Sequence, residues 1–215
     1  MSRFDYLINN WDRVRGLAID HLQLSLLAVL IALAIAVPVG VLVARYVRLD
    51  LPIFALLGTI YTIPSLAALA FMIPLVGIGR KPALILLAAY AQLFLVRNIV
   101  TGLRGVDAPT LEAARGMGMT TPQIFLRVQW PLAMPVILAG IRVALVTTIS
   151  LATITAWINA GGLGELLFNG ITRNNQPMIW AGTIAITALA LAADLLMRLI
   201  ERLTIASRAR RASAR

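Results

Sequence analysis

The sequence contains no cysteine and one histidine, and Lys81 is its one lysine. Without cysteine there is neither a disulfide framework nor thiolate chemistry. His21 stands alone at the edge of the first apolar run. That position suits an interfacial side chain and leaves no ligand set for a metal, which excludes metal catalysis. Lys81 is followed by Pro82 in a connection between apolar runs, so a phosphate-cradling loop of the Walker type cannot form in this chain. Acidic residues are few, 9 against 19 basic ones, for a formal charge of +10. No basic stripe or exposed aromatic set accompanies that charge, which argues against nucleic acid. The start "MSRFDYLINNWDRVRG" lacks a charged residue followed at once by a short apolar core and a small-residue cleavage site, so no removable signal peptide is expected.

What the chain has in abundance is apolar surface. It is 60% hydrophobic with a mean hydropathy of +0.88, against roughly 45–50% apolar in soluble domains. This composition predicts an integral membrane protein. A bilayer core of about 30 Å needs about 20 apolar residues in a helix, because backbone groups in lipid must be satisfied internally. Five runs qualify. Residues 22–44 carry no charge and include Pro38. Residues 51–78 contain Pro52, Pro64 and Pro74 and are expected to tilt or kink. Residues 83–100 end near Arg97, expected to snorkel, and Asn98. Residues 132–156 carry Arg142, and residues 178–199 carry Asp194. Ahead of them, Phe4, Leu7, Ile8, Trp11, Val14 and Ala18 recur at helical spacing, which predicts an amphipathic surface helix, with a frayed tail as the alternative.

Orientation follows from the basic residues on each side. With the N-terminus outside, the inner side holds Arg45, Arg48, Arg97, Arg104, Arg115, Arg127 and the arginines from Arg198 to Arg215, while Arg3, Arg13, Arg15, Arg80, Lys81 and Arg173 lie outside. The inner side then carries twice as many. Residues 101–131 and the tail "RARRASAR" are thereby placed in the cytoplasm, the tail acting as a stop-transfer signal that favours anionic lipid heads.

The 101–131 connection is long for a membrane loop and is built as two helices. In "VDAPTLEAARGMG", Asp107 or Ala108 can cap, Pro109 suits the first turn, and Glu112 sits near the positive helix start, while Gly116 and Gly118 end the helix. In "TTPQIFLRVQWP", Thr121 can cap a second helix with Pro122 in its first turn, and Ile124, Phe125 and Val128 form one apolar face. The product is a glycine-jointed knob whose small Ala113 and Ala114 permit close approach to another protein; an ordinary linker hairpin is the plainer reading.

The spacing resembles the coupling loop of ABC importer permeases: Glu-Ala-Ala, three residues, Gly, nine residues, a branched apolar residue, one residue, then Leu-Pro. The matching positions are Glu112, Ala113, Ala114, Gly118, Val128 and Pro131, with Trp130 where Leu is usual. "YTIPSLAALAFMIPLVGIGRKPALI" and "NAGGLGELLFNGI" look like permeases for glycine betaine, carnitine and choline, and the similarity covers most of residues 20–200. The resemblance implies an all-α type I permease of five transmembrane helices, similar to the methionine permease, as a single domain over 1–215 with its C-terminus in the cytoplasm of a bacterial or archaeal cell. It implies that ATP and Mg²⁺ belong to a separate ATPase dimer whose clefts receive the knobs. It also implies a second permease copy or paralogue, an outer substrate-binding protein, and no cofactor in this chain. A methionine-type amino-acid permease is the alternative within that architecture. An ion-coupled carrier would be expected to place more acidic groups mid-membrane, and a scaffold would not need the knob.

A quaternary ammonium is drawn to aromatic faces, which makes Tyr61, Phe71, Tyr90, Phe94 and Trp157 candidates for a substrate path, against simple packing or interfacial anchoring. Arg142 and Asp194 are costly at membrane depth unless paired. Either they pair with one another, or Asp194 pairs with Arg198 along its helix while Arg142 snorkels. The segment "INAGGLGELLFNGITRNNQP" reads as a short outer helix through Leu166, Leu167, Phe168 and Ile171, serving as a gate or docking surface, or else as a plain loop.

Overall fold

A computed structural model describes the backbone of residues 5–213 and the side chains of residues 6–204, and these described residues contain helices and turns but no strand. After the single turn α1 (Asp5–Asn9), α2 runs unbroken from Trp11 to Arg45, about 52 Å at the helical rise. The stretch expected to form a separate surface helix is therefore mostly the first turns of α2, with Val14 buried and Ile8 and Trp11 exposed. Its Phe4 lies outside the described residues. Asp12 in the first turn and Arg45 in the last complement the helix dipole.

The 51–78 run is not one helix. It forms α3 (Asp50–Thr62) and α4 (Ser65–Val76), bent by 92° at a break. Pro64 causes the break: the residue before a proline is pushed out of the helical region, and Ile63 is extended at φ −65°, ψ 128°. Tyr90 donates its hydroxyl proton to the Ile63 carbonyl freed there. Next come α5 (Arg80–Arg104), α6 (Ala108–Gly116), α7 (Thr121–Ile124), α8 (Trp130–Thr155), α9 (Gly164–Thr172) and α10 (Gln176–Ser213). Among the described residues, four helical stretches are long and apolar enough to cross a membrane, Trp11–Arg45, Arg80–Arg104, Thr121–Ile158 and Gln176–Thr204, or five spans if the bent pair counts as one.

The main seam packs α2, α5 and α8 through small residues, including Ala32, Ala36, Ala88, Ala91, Ala133 and Ala144. Small side chains let backbones approach where lipid offers no hydrophobic gain between helices. At Gly140 an added Cβ would run into the Asn98 side chain, so α8 lies directly on α5 there. α2 and α5 both end where α3 and the long Thr121–Ile158 helix begin, which gathers Arg45, Asp50, Arg104 and residues 105–120 at one end of the bundle. Val14 and Met178 share a cluster at the opposite end.

His21, expected at an interface, is instead fully buried at that opposite end. Its Nδ1 accepts from the Leu163 N–H at 3.2 Å, so the ring proton sits on Nε2, which donates to the Ile149 carbonyl at 2.8 Å. One side chain thus ties α2 to α8 and to the turn before α9. Gly162 adopts φ +87°, and a Cβ there would sit 2.8 Å from Nδ1, so glycine is required beside the ring. His21→Leu strands a buried N–H, an expected cost of about 1–3 kcal/mol. That corresponds to a fall of roughly 5 °C in the thermal midpoint of the detergent-purified protein; an unchanged midpoint would contradict the hydrogen-bonded tie.

Candidate coupling segment and intramembrane groups

The segment 105–131 is built from local rules. Asp107 caps α6, its Oδ2 accepting from the Thr110 hydroxyl at 2.6 Å and the Thr110 N–H at 3.1 Å, with Pro109 in the first turn. These bonds, the hydroxyl's first, hold the Asp107 carboxyl below the usual carboxylate range. The cap is therefore charged at neutral pH, and its contribution is lost only as acid protonates it below that range.

α6 closes with two paired bonds, Gly118 N–H to Arg115 O at 2.9 Å and Met119 N–H to Ala114 O at 3.2 Å, around Gly118 at φ +77°. This is the Schellman closure, in which a left-handed residue satisfies the last carbonyls. Gly116 remains inside the helix. Ala114 turns inward and is buried, whereas Glu112 and Ala113 face out. Met117, 74% exposed, is the largest apolar group offered at the tip; no periodicity singled it out, because it lies in the turn rather than on a helix face.

The second helix differs from expectation in two ways. Its cap is Thr120 rather than Thr121, and the Gln123 side chain returns to accept from the Thr120 N–H at 2.8 Å. It is also no separate short helix. Residues Phe125–Gln129 form a π turn in which the Trp130 N–H reaches the Phe125 carbonyl, and the helix continues through Pro131 into α8. Widening one turn absorbs the hydrogen bond that Pro131 cannot donate. Val128 and Pro131 are half-buried along this passage. Trp130, in the usual leucine position, packs into the main seam with its ring 5.7 Å from that of Phe125. Gln129 donates to the Leu103 carbonyl at 3.0 Å, anchoring the turn to the end of α5. Between this segment and the ends of α2 and α5 lies a cleft of about 470 Å³, with Arg45 and Arg115 on its walls.

Of the five aromatic candidates, three come together. Tyr61 at the end of α3 lies 5.6 Å from the Tyr90 ring and 5.3 Å, edge to face, from Phe94. Phe71 on α4 is 72% exposed and Trp157 is 48% exposed, and neither ring joins this cluster. Arg142 and Asp194 do meet, at 3.5 Å between Nε and Oδ1, and Arg198 reaches the other Asp194 oxygen at 2.7 Å. Asp194 thus makes both of the pairs weighed from the sequence, while Arg142 is held by carboxylates rather than left to snorkel. The fourth member, Glu201, pairs with Arg142 at 3.0 Å. It escaped notice because it follows the nominal end of the last apolar run. The 158–177 segment contains the helix α9, which buries Leu166 and leaves Ile171 exposed.

These features occur in a known setting. Residues 36–205 match the family described as the inner membrane component of binding-protein-dependent transport systems. The chain belongs to this family. It is 43% identical over 182 residues to the carnitine transport permease protein OpuCB of Listeria monocytogenes, covering 85% of this chain and 84% of that one. It is 40% identical to the choline transport system permease protein OpuBB of Bacillus subtilis, at the same coverage. The osmoprotectant import permease protein OsmW of Salmonella typhimurium is 40% identical over 206 residues, covering 94% and 96%. Among solved structures, an inward-facing form of the MetNI methionine ABC transporter superposes with a TM-score of 0.80 at 24% identity, over 90% of this chain and 96% of that one, and so establishes the shared type I permease fold. The chain is thus a multi-pass inner-membrane transport subunit rather than an enzyme. Permeases of this class work with a separate ATPase that hydrolyses ATP and with a substrate-binding protein.

Proposed function

We propose that this chain is the permease of an ATP-driven importer for a quaternary-ammonium osmoprotectant such as glycine betaine, carnitine or choline. The observation that carries this reading is the shared substrate chemistry of relatives at 38–43% identity over most of the chain. The ring cluster at the 92° bend supports it, since Tyr61, Tyr90 and Phe94 offer π faces beside a proline-broken helix.

In this reading residues 101–131 lie in the cytoplasm and the N-terminus lies outside. The arginine distribution supports that direction, and the starts of α2 and α10 at the end opposite the coupling segment fit the N-terminus and that segment lying on opposite sides. Glu112, Ala113 and Met117 enter a cleft of the ATPase, and Gly118 is the joint. ATP and Mg²⁺ sit on the ATPase alone. Its dimer presents two clefts and this chain has one coupling segment, so two permeases stand side by side, a second copy or a paralogue. Closure of the ATPase draws the two segments together and rocks the spans between inward-open and outward-open packings.

The test is uptake of radiolabelled glycine betaine, carnitine, choline and methionine by vesicles holding the permease with the ATPase and binding protein encoded beside it. ATP-dependent uptake of a quaternary ammonium compound, not competed by methionine, is the expected result; uptake of methionine alone would replace the reading with an amino-acid permease. In the same vesicles Tyr61→Leu removes a ring worth about 1–2 kcal/mol to a desolvated cation, and so lowers uptake roughly five- to thirtyfold. Tyr61→Phe keeps the face and retains most uptake. Equal losses in the two variants would point to packing rather than to cation contact.

A further inference from the structure

Arg104 is the last residue of α5, and only Gly105 and Val106 separate it from the Asp107 cap of the coupling helix α6. Its guanidinium makes four hydrogen bonds. Nη2 donates to the Val43 carbonyl at 2.6 Å and Nε to the Ala44 carbonyl at 3.2 Å, both in the last turn of α2. Nη1 and Nη2 donate to the two Asp50 carboxylate oxygens at 2.6 and 2.8 Å, and Asp50 is the first residue of α3. One planar fork thus joins the ends of three helices, matching orphan carbonyls on one side and a carboxylate on the other.

The connection matters because it fixes the start of α3 by directed polar bonds. The helix contains no fully buried residue, and Ile53, Phe54 and Leu57 pack half-buried against the main seam. Its start is tied to α5 through Asp50 and Arg104, and just past its end Ile63 is tied to α5 through Tyr90. Between those two points α3 carries Tyr61 into the ring cluster. A displacement of α6 reaches Arg104 across a two-residue link and passes from there to the start of α3. We infer that Arg104, with Asp50 as its partner, is a positioning residue of the transport step, carrying movement of the coupling helix into the bent helix pair that bears Tyr61. This inference rests on the coupling role proposed for residues 105–131.

A purely structural clamp and a transmission element differ in one observable, the substrate moved per ATP hydrolysed. Arg104→Lys keeps the charge but loses the fork; Asp50→Asn keeps the size but loses the ion pair. Each is reconstituted in vesicles with the ATPase and binding protein, using glycine betaine as the probe. The ATPase is expected to remain bound and to keep hydrolysing ATP, while uptake per ATP falls about threefold or more. An unchanged ratio in both variants overturns the inference, as does a parallel loss of uptake and hydrolysis. If Arg104→Lys does not reach the membrane, Asp50→Asn carries the test. Gly118→Val in the same vesicles separates the two layers. If Gly118→Val loses uptake while both clamp variants keep the normal ratio, only the transmission role fails; normal uptake in Gly118→Val removes the coupling segment on which that role rests.

Discussion

Gly118→Val is expected to lower ATP-driven uptake more than tenfold while leaving insertion and folding intact. The reason lies in the balance of two magnitudes. Gly118 holds φ +77° with no atom within 4 Å of an added Cβ, so the substitution meets strain but no clash. Forcing a β-branched residue into the left-handed region costs about 1–3 kcal/mol, which is below the roughly 5–15 kcal/mol that keeps a domain folded. The chain survives, but the turn relaxes. Relaxation breaks the bonds from Gly118 to Arg115 and from Met119 to Ala114, and the exposed face bearing Glu112, Ala113 and Met117 swings relative to α7. A docking surface misplaced by a cost of 1.4 kcal/mol is already tenfold underpopulated. Gly118→Asn is the discriminating control, because asparagine tolerates the left-handed region and is expected to retain a large part of the uptake. Normal uptake by Gly118→Val would remove the joint from the mechanism.

The parts of this site that were legible in the sequence are those governed by local rules. Asp107 followed by Pro109, and Gly116 and Gly118 at the close of α6, each carry a capping signal that needs no tertiary context. The apolar runs gave the helical spans for the same reason, and Pro52, Pro64 and Pro74 together signalled a tilt or kink, though not that Pro64 makes it nor its 92°. What escaped was set by neighbours far along the chain. The second coupling helix and the 132–156 span read as separate elements, but a π turn five residues long carries one helix past Pro131. His21 looked solitary because its partners, Ile149 and Leu163, are backbone atoms 128 and 142 residues away and have no side-chain signature. Tyr61, Tyr90 and Phe94 could be named from chemistry, while their separation from Phe71 and Trp157 depended on a bend angle that periodicity does not encode. Arg104 carried no motif at all; its role emerges only where three helix ends meet.

The charge network between α8 and α10 makes the last prediction a matter of rank. Two arginines and two carboxylates form a chain, Arg198 to Asp194 to Arg142 to Glu201, neutral as a whole. Arg142 touches both carboxylates, and the Arg142, Asp194 and Glu201 side chains are only 27%, 23% and 21% exposed. Removing one partner of a desolvated pair costs about 3–5 kcal/mol when burial is complete. With a quarter of each group still in contact with its surroundings, about 2–3 kcal/mol is the expected loss for Arg142→Met. Glu201→Gln leaves Arg142 paired with Asp194 and costs less. Arg198→Met costs least, about 0–1 kcal/mol, because Arg198 is 55% exposed and its bond to Asp194 is an i,i+4 surface pair. Adding Glu201→Gln to Arg142→Met removes the uncompensated carboxylate and recovers part of the loss, a coupling that a double-mutant cycle reads directly from thermal unfolding in detergent. Equal destabilisation by all three single variants, or strict additivity of the double, would mean that the charges are solvated independently and that α10 is held to α8 by packing at Ala193, Leu145 and Ile149 alone.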